Sequence, residues 1–200
     1  MESIPSAVSV RVRSLLITAT FLLDVSLSLA QTGAWLDIAL APWNQTGGAV
    51  PTAPPPKGTA PGDPRCARSV REPETAVERE VAAAGWSLYS PARVKASTTV
   101  LLADAAVDGM CRPWDYQAFV FVKGAFAGTL SPTLMDSRTD GALSEVRLLS
   151  ASSIEVVFLR YVSTDPLCCP SRLTTVRYHI ERRGNGPVVV PLSATSKPSR

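Results

Sequence analysis

The sequence contains few of the residues on which enzymes and metal sites most often depend. Among 200 residues there is one histidine, His179, and there are four cysteines, none of them in a Cys-x-x-Cys pair. Thioredoxin-like redox sites need that pair, and structural zinc sites need it or several histidines. The Gly-x-Ser-x-Gly turn of the α/β-hydrolases is also missing. We therefore assign no catalytic residue, no metal site and no cofactor from the sequence.

Positive charge is likewise not concentrated in any one stretch. The 20 Lys and Arg residues only slightly outnumber the 17 Asp and Glu residues, for a formal net charge of +3. Arginines such as Arg71, Arg147 and Arg177 alternate with acidic or apolar residues. A nucleic-acid-binding surface would need a basic stripe with base-reading partners, so the sequence argues against a nucleic-acid partner.

The chain also lacks a hydrophobic run long enough to span a bilayer, which takes about 20 apolar residues. Two arginines precede its apolar run (residues 15–23), and Asp24 ends it. Ser28 and Ala30 are small residues at the positions that a signal peptidase reads. This order predicts a signal peptide over residues 1–30 and a secreted or periplasmic protein, with no stable membrane span after cleavage.

Composition divides the rest of the chain into three parts. Residues 31–64 are rich in Pro, Gly, Thr and Ala, which favours extended, solvated backbone, so we interpret them as a tether. Residues 65–193 carry the periodic segments of a folded domain. Residues 194–200 are expected to form a flexible tail.

Hydrophobic periodicity predicts one helix followed by strands. Residues 74–84 follow a proline and end at Gly85, as a helix does. Beyond them the apolar period changes to two, which predicts strands at 97–107, 117–122, 125–130, 145–149, 154–161, 173–182 and 188–192. We predict an α+β fold, with one N-terminal helix packed on a mostly antiparallel sheet of six to seven strands, braced by disulfides.

If successive strands pair as a meander, every second connection lies at the same end of the sheet. The long connections 108–116, 131–142 and 163–172 then share one end, and the opposite end has only short turns. Binding residues are common on loops that a rigid scaffold positions. The candidate binding rim consists of the charged residues of the long connections: Asp108, Arg112, Asp115, Asp136, Arg138, Asp140, Asp165 and Arg172.

Four cysteines in an exported chain predict two structural disulfides. Neighbouring side chains of an extended segment point in opposite directions, so Cys168 and Cys169 are expected to have different partners. The meander places Cys111 near this pair. We expect one of the two to bond Cys111 and the other to bond Cys66. A redox role for Cys168 and Cys169 is the alternative interpretation.

Three polar features have a functional interpretation beside a structural one. Residues 136–141 resemble the first half of a calcium loop, but Arg138 occupies a ligand position, so a polar turn is favoured. Paired carboxylates among the long-loop aspartates would suit glycoside hydrolysis, although loop aspartates usually cap turns. His179 lies on the polar face of its strand beside Arg177 and Glu181, and we expect it to face solvent.

Residues 165–172 (Asp-Pro-Leu-Cys-Cys-Pro-Ser-Arg), followed by Thr-Thr-Val-Arg-Tyr at 174–178, resemble the bacterial LppP/LprE lipoprotein family. The resemblance extends back through residues 109–113, 117–122 and 128–129 and covers roughly residues 97–180. It implies an exported protein with disulfides, and it supplies no substrate because the family is uncharacterised. This chain departs from the family in having no lipid-accepting cysteine after its apolar run.

These observations predict an exported, non-catalytic binding or interaction module of the cell envelope. Its partner would be an envelope protein or another cell-surface component. The alternative is a small periplasmic hydrolase or a thiol-redox protein that uses the long-loop aspartates or Cys168 and Cys169.

We predict that the exported chain begins at Gln31, because the small residues before it complete the cleavage site. N-terminal sequencing of secreted material is the measurement. Recovery of Met1, or retention of the whole chain in the cytoplasm, would contradict the prediction.

Overall fold

The computed structural model describes residues 33–199. The predicted signal peptide and its cleavage site lie outside the described residues. Within residues 33–199, no helix has both the length and the apolar character needed to cross a membrane.

The described chain contains one α-helix and nine strands, together with two short 3-10 turns at Ala34–Leu36 and Ala67–Ser69. The helix, α1, is Ala76–Ala83. The strands are β1 (Ser87–Leu88), β2 (Arg93–Lys95), β3 (Thr98–Val107), β4 (Pro113–Val122), β5 (Ala125–Thr129), β6 (Leu143–Leu148), β7 (Ser153–Arg160), β8 (Arg172–Arg183) and β9 (Gly186–Pro198).

Side chains at the first turn of helix α1 fix the residue at which the helix begins. Thr75 and Glu78 form a capping box, in which the backbone N–H of Thr75 donates to the Glu78 carboxylate at 2.8 Å. Arg71 donates to the same carboxylate at 2.7 Å. Burial opposes ionisation there, but these hydrogen bonds lower the pKa of Glu78 to about 2. Gly85, at φ 92°, supplies the left-handed residue that ends the helix.

The nine strands form two antiparallel sheets, so the prediction of a single sheet is wrong. The first sheet has the order β1-β3-β4-β5, with β2 also paired to β3, and the second has the order β6-β7-β8-β9. Residues 130–142 leave β5, form one isolated bridge with β4 between Met135 and Tyr116, and then enter the second sheet at β6. The coarser expectation of a mostly antiparallel fold with one helix is confirmed.

A second sheet is needed because β3 and β4 bury both of their faces. Val100 on one face belongs to the core between the two sheets, together with Tyr178 of β8. Leu101 and Phe119 on the other face belong to a separate core with Val81 of α1. One helix covers only one face of a sheet, and the second sheet removes the remaining apolar face from water.

Residues 33–64 lie against the domain and do not form the expected tether. The ring of Trp35 meets that of Phe158 at a centroid distance of 5.2 Å, and Trp43 meets Tyr178 at 6.2 Å. Leu36 is also buried in the core between the sheets. The Pro- and Gly-rich composition was a poor guide because large aromatic side chains provide enough apolar area to dock an extended segment.

Asn44 joins the edges of the two sheets. Its Oδ1 accepts the N–H of Thr129 in β5 at 2.8 Å, and its Nδ2 donates to Thr129 O at 2.9 Å and to Val189 O of β9 at 3.0 Å. Gly128, at φ 126°, makes this approach possible, since a Cβ there would overlap the Asn44 carboxamide.

The C-terminal residues also differ from the expected flexible tail. Strand β9 continues to Pro198, which pairs with Arg172 of β8, and Ala194 pairs with Val176. Residues 194–198 are therefore part of the second sheet, held by the backbone ladder although their side chains are exposed.

The two disulfides are Cys66–Cys111 and Cys168–Cys169, so the expected connectivity is wrong. The expected pairing requires the backbone at Cys168 and Cys169 to be extended, so that neighbouring side chains point in opposite directions. Instead the N–H of Cys169 donates to Pro166 O at 2.9 Å, which closes a turn. Adjacent side chains in a turn are not constrained to opposite sides, and the two sulfurs bond each other.

Cys66 meets Cys111 because the segment before it runs beside the end of β3. Thr59 forms an isolated antiparallel bridge with Val107, the last residue of β3. The chain then reaches the β3–β4 connection, where the disulfide joins residues 45 positions apart. This bond fastens the N-terminal segment to the rim of the first sheet.

Asp104 is a buried carboxyl group of β3 with an unsatisfied oxygen. The residue is 1% exposed, and its Oδ1 has no hydrogen-bond partner among the described residues. It lies opposite Tyr116 of β4. Burial raises the pKa of Asp104 to about 7, because an ionised carboxylate loses hydration there without a compensating cation.

We predict that Asp104→Asn stabilises the protein more at about pH 8 than at about pH 5. The folded pKa lies above the ordinary value of 3.8, so the wild-type carboxyl is protonated in the folded protein at the lower pH. Wild-type stability is then lost as the pH rises from about 4 to beyond 7, by at most about 4 kcal/mol. Asparagine does not ionise and avoids this loss.

Urea unfolding with the disulfides intact measures the effect at both pH values. Asp165→Asn is the matched control, because hydrogen bonds from Val162 and Ser171 lower the pKa of Asp165 and both pH values lie above it. Its effect should be the same at the two pH values. An Asp104→Asn effect that is also independent of pH would contradict the assignment of a raised pKa.

Candidate functional site

Three long connections, residues 108–112, 130–142 and 161–171, lie at one end of the sandwich, which we call the long-loop end. Asp108 of the first connection and Asp136 of the second line the same cavity. The backbone N–H of Tyr161, in the third, donates to Asp140 of the second at 2.8 Å. The structure therefore brings together loops that are distant in sequence, as the meander requires.

The cavity at this end has a volume of about 180 Å³ and is built around Trp114, whose side chain remains 37% exposed. It is lined by Asp108, Pro113, Trp114, Asp136, Ser137 and Thr139. The Trp114 side chain hydrogen-bonds the Asp136 carboxylate. Gly58 lies against the ring, since a Cβ there would be 3.5 Å from Trp114 Cε3. The indole is thus held in place beside an open, polar cavity.

The two carboxylates of the cavity have pKa values displaced in opposite directions. Burial alone would raise the pKa of Asp108, but hydrogen bonds from the backbone and guanidinium of Arg112 hold it below its usual value. Arg112 Nε donates to Asp108 Oδ2 at 2.6 Å. Burial raises the pKa of Asp136, and the charge of Asp115 adds to the increase despite the hydrogen bond from Trp114. Asp108 is held ionised, whereas Asp136 binds a proton more readily.

Asp115 positions Asp136 from within β4 and does not itself line the cavity. Its φ of 49° lies in the left-handed region and interrupts the β3–β4 ladder. The freed N–H donates to Asp136 Oδ1 at 2.7 Å. The buried Asp115 carboxylate accepts from Lys57 Nζ at 3.1 Å. Such backbone strain in a non-glycine residue persists only where its surroundings maintain it, and it is frequent at functional sites.

The remaining rim residues have structural contacts. Asp140 accepts from the buried Arg160 at 2.8 Å, and Arg160 also donates to Asp37 at 2.6 Å, which holds the N-terminal segment to β7. Asp165 accepts backbone N–H groups of Val162 and Ser171, and so closes its own loop. Arg138 and Arg172 do not line the cavity.

The other chemistries considered from the sequence find little geometric support. Residues 33–199 contain no group of three or more His, Cys, Asp and Glu side chains placed to hold a metal ion. Cys168 and Cys169 are exposed and bonded to each other. His179 is half-buried between Ser153 and Val190, toward the opposite end of the second sheet, so it does not fully face solvent as expected.

Sequence reasoning missed Trp114 and Lys57, although a tryptophan directly after Pro113 at the edge of a long loop was a usable signal. It also passed over the opposite end of the sandwich. A cavity of about 660 Å³, larger than the one beside Trp114, lies there between short turns. Its lining comes from segments far apart in sequence, which no local pattern reveals.

Residues 93–183 match the model of a protein family described as LppP/LprE lipoprotein. The match includes β2 to β8 and all three long connections. No curated protein and no solved structure matches the chain. A match to a lipoprotein family suggests an exported protein of the cell envelope. The expected resemblance over roughly residues 97–180 is confirmed, since the LppP/LprE lipoprotein model matches the segment from β2 to β8.

Proposed function

We propose that this protein is a non-catalytic binding module of the cell envelope, and that it binds a saccharide chain at the Trp114 cavity. A signal peptide would bring it to the secreted or periplasmic space. The observation that carries the proposal is the fixed, partly exposed indole of Trp114 beside carboxylate and hydroxyl groups.

The chemistry of the cavity suits a sugar ring. An aromatic side chain provides a flat apolar surface for the C–H face of a pyranose at low entropic cost. The Asp136 carboxylate can accept hydrogen bonds from sugar hydroxyls, and Ser137 and Thr139 can both donate and accept them. A ligand that is itself rich in hydroxyls matches this mixture better than a purely apolar ligand does.

The size of the cavity indicates one unit of a longer chain. Pockets for complete drug-sized ligands usually measure about 300–1,000 Å³, and this cavity, at about 180 Å³, is smaller. The exposed rim around it continues over the β3–β4 connection, where Met110 is 70% exposed. A polysaccharide would place one ring in the cavity and pass over this rim.

The loops are held rigidly enough for such recognition. The Cys66–Cys111 bond fixes the β3–β4 connection, and Asp115 fixes the orientation of Asp136. A binding site that is already ordered loses less conformational entropy when the ligand arrives.

We predict that Trp114→Ala weakens binding to isolated cell-wall polysaccharide about 10- to 30-fold, as expected for a central aromatic anchor. Trp114→Phe should retain most of the affinity because it keeps a flat ring. Affinity electrophoresis through gels containing the polysaccharide measures the change.

Leu192→Ala is the matched control, since it removes an exposed apolar side chain from β9 without altering the cavity or its rim. Equal retardation of wild type and Trp114→Ala by the polysaccharide, or weakening by Leu192→Ala of the same size, would show that the cavity is not the binding site.

A second candidate function, glycoside hydrolysis, is favoured by one observation. Two carboxylates of one cavity with oppositely displaced pKa values are the arrangement of an acid and its partner base. In that case Asp136 would be the general acid and Asp108 the base or nucleophile. The Arg112 ion pair of Asp108 argues against it, because it occupies the carboxylate.

Reducing-sugar release from the same polysaccharide distinguishes the two functions. A binding module releases no sugar, and Asp136→Asn then affects affinity alone. If the protein is a hydrolase, Asp136→Asn should lower the rate of sugar release at least about 100-fold, in line with the contribution of general acid catalysis. Release that is unchanged in Asp136→Asn would contradict the catalytic assignment.

A further inference from the structure

The opposite end of the sandwich, which we call the turn end, consists of the hairpin turns at residues 123–124, 149–152 and 184–185. Residues 46–48 lie beside them. Two cavities of about 660 and 310 Å³ adjoin here and share Ala125, Asn185 and Pro187. The turn end is therefore a broad, uneven surface with open hollows between its hairpin tips.

Basic side chains gather at this end from three separate segments: Arg93, Lys95, Lys123, Arg182 and Arg183. The carboxylate beside them is that of Glu181, and it is bonded to Arg183 at 2.9 Å. Within residues 33–199, neither Lys123 nor Arg182 has an ion-pair partner closer than 4.0 Å. The turn end is thus a surface with excess positive charge, although no stretch of the sequence is strongly basic.

Apolar side chains are exposed among these cations. Val94, between Arg93 and Lys95, is 64% exposed, and Leu149 at the β6–β7 turn is 44% exposed. Lys95 Nζ donates to Leu149 O at 2.8 Å, which joins β2 to the β6–β7 turn. Phe126 lines the larger cavity.

The tips are held in position by contacts between the sheets. Thr98, at the start of β3, donates to Ala151 O of the β6–β7 turn at 2.5 Å. The β8–β9 hairpin extends beyond its neighbour, since the β7 ladder ends at the Ser153–His179 pair and β8 continues to Arg183. Arg182 and Arg183 consequently project from the sheet.

We propose that the turn end docks on an anionic lipid surface, independently of the saccharide site at the opposite end. Each Lys or Arg near such a surface contributes about a fivefold increase in binding. Exposed apolar side chains at hairpin tips add affinity by entering the headgroup region. The open cavities between the tips leave space for headgroups beside Arg183.

Charge complementarity favours a lipid surface over a compact soluble anion as the occupant. A single phosphate needs donors converging on one point, whereas these cations are distributed over separate turns. A planar array of phosphates at a bilayer meets all of them together. The exposed Val94 and Leu149 would be unfavourable next to a purely hydrophilic polyanion but are suited to a bilayer interface.

Sedimentation of the full exported chain with vesicles tests the proposal. The chain should bind vesicles that contain phosphatidylglycerol mixed with phosphatidylcholine, and it should bind vesicles of phosphatidylcholine alone much more weakly. Its affinity for the anionic vesicles should fall as salt is added. The double variant Lys123→Gln, Arg182→Gln should lower the partition coefficient about 30-fold. The charge-conserving variant Lys123→Arg, Arg182→Lys should retain binding.

The matched control is Arg68→Gln, Arg79→Gln, which removes the same charge from exposed positions away from the turn end. It should bind within about twofold of wild type, and so should Trp114→Ala. Three outcomes would overturn the proposal: equal binding to both vesicle types, an equal loss of binding in the control pair, or binding to a polyanion resin without binding to vesicles. Circular dichroism confirms that each variant is folded.

Discussion

The first sheet has two apolar faces, and each must be removed from water. β3 and β4 place alternate side chains in separate cores, one containing Val100 and the other Leu101 and Phe119. The second sheet covers the first of these faces, while α1 covers part of the other. Trp86, whose Nε1 donates to Pro51 O at 2.7 Å, brings the N-terminal segment over the remainder. The three-layer arrangement, and the path of the chain before α1, follow from this requirement.

The same N-terminal segment closes the sandwich where its sheets would otherwise separate. Asn44 bonds β5 and β9, which are edge strands of different sheets. Arg160 bonds Asp37, and Cys66 bonds Cys111. Buried polar groups are stable only with such partners. Most rim charges are therefore committed to holding loops in place, and Trp114 and its cavity are left as the open part of the long-loop end.

Seven of the nine strands were predictable from the sequence, whereas the short β1 and β2 and the partition into two sheets were not. Period-two alternation locates β8, the apolar run at 117–122 locates the second half of β4, and Pro73 and Gly85 bracket α1. The apolar character of both faces at 117–122 already required two covering layers, which a single sheet and one helix do not provide. Cys168 and Cys169 were misassigned because a local turn replaced the extended backbone that the argument assumed. Trp114 and the basic turn end were missed because their surroundings come from several segments.

Strand parity places the two candidate surfaces at opposite ends. In an antiparallel meander the chain reverses at every connection, so short turns collect at one end and long loops at the other. The loop end gains depth from its long connections, which makes a cavity beside Trp114 possible. The turn end has projecting hairpin tips, so a flat bilayer surface can contact Lys123 and Arg182 there. If the turn end contacts a bilayer, the cavity beside Trp114 faces away from the lipid. Its distance from the lipid is then about the length of a ten-residue strand, roughly 33 Å.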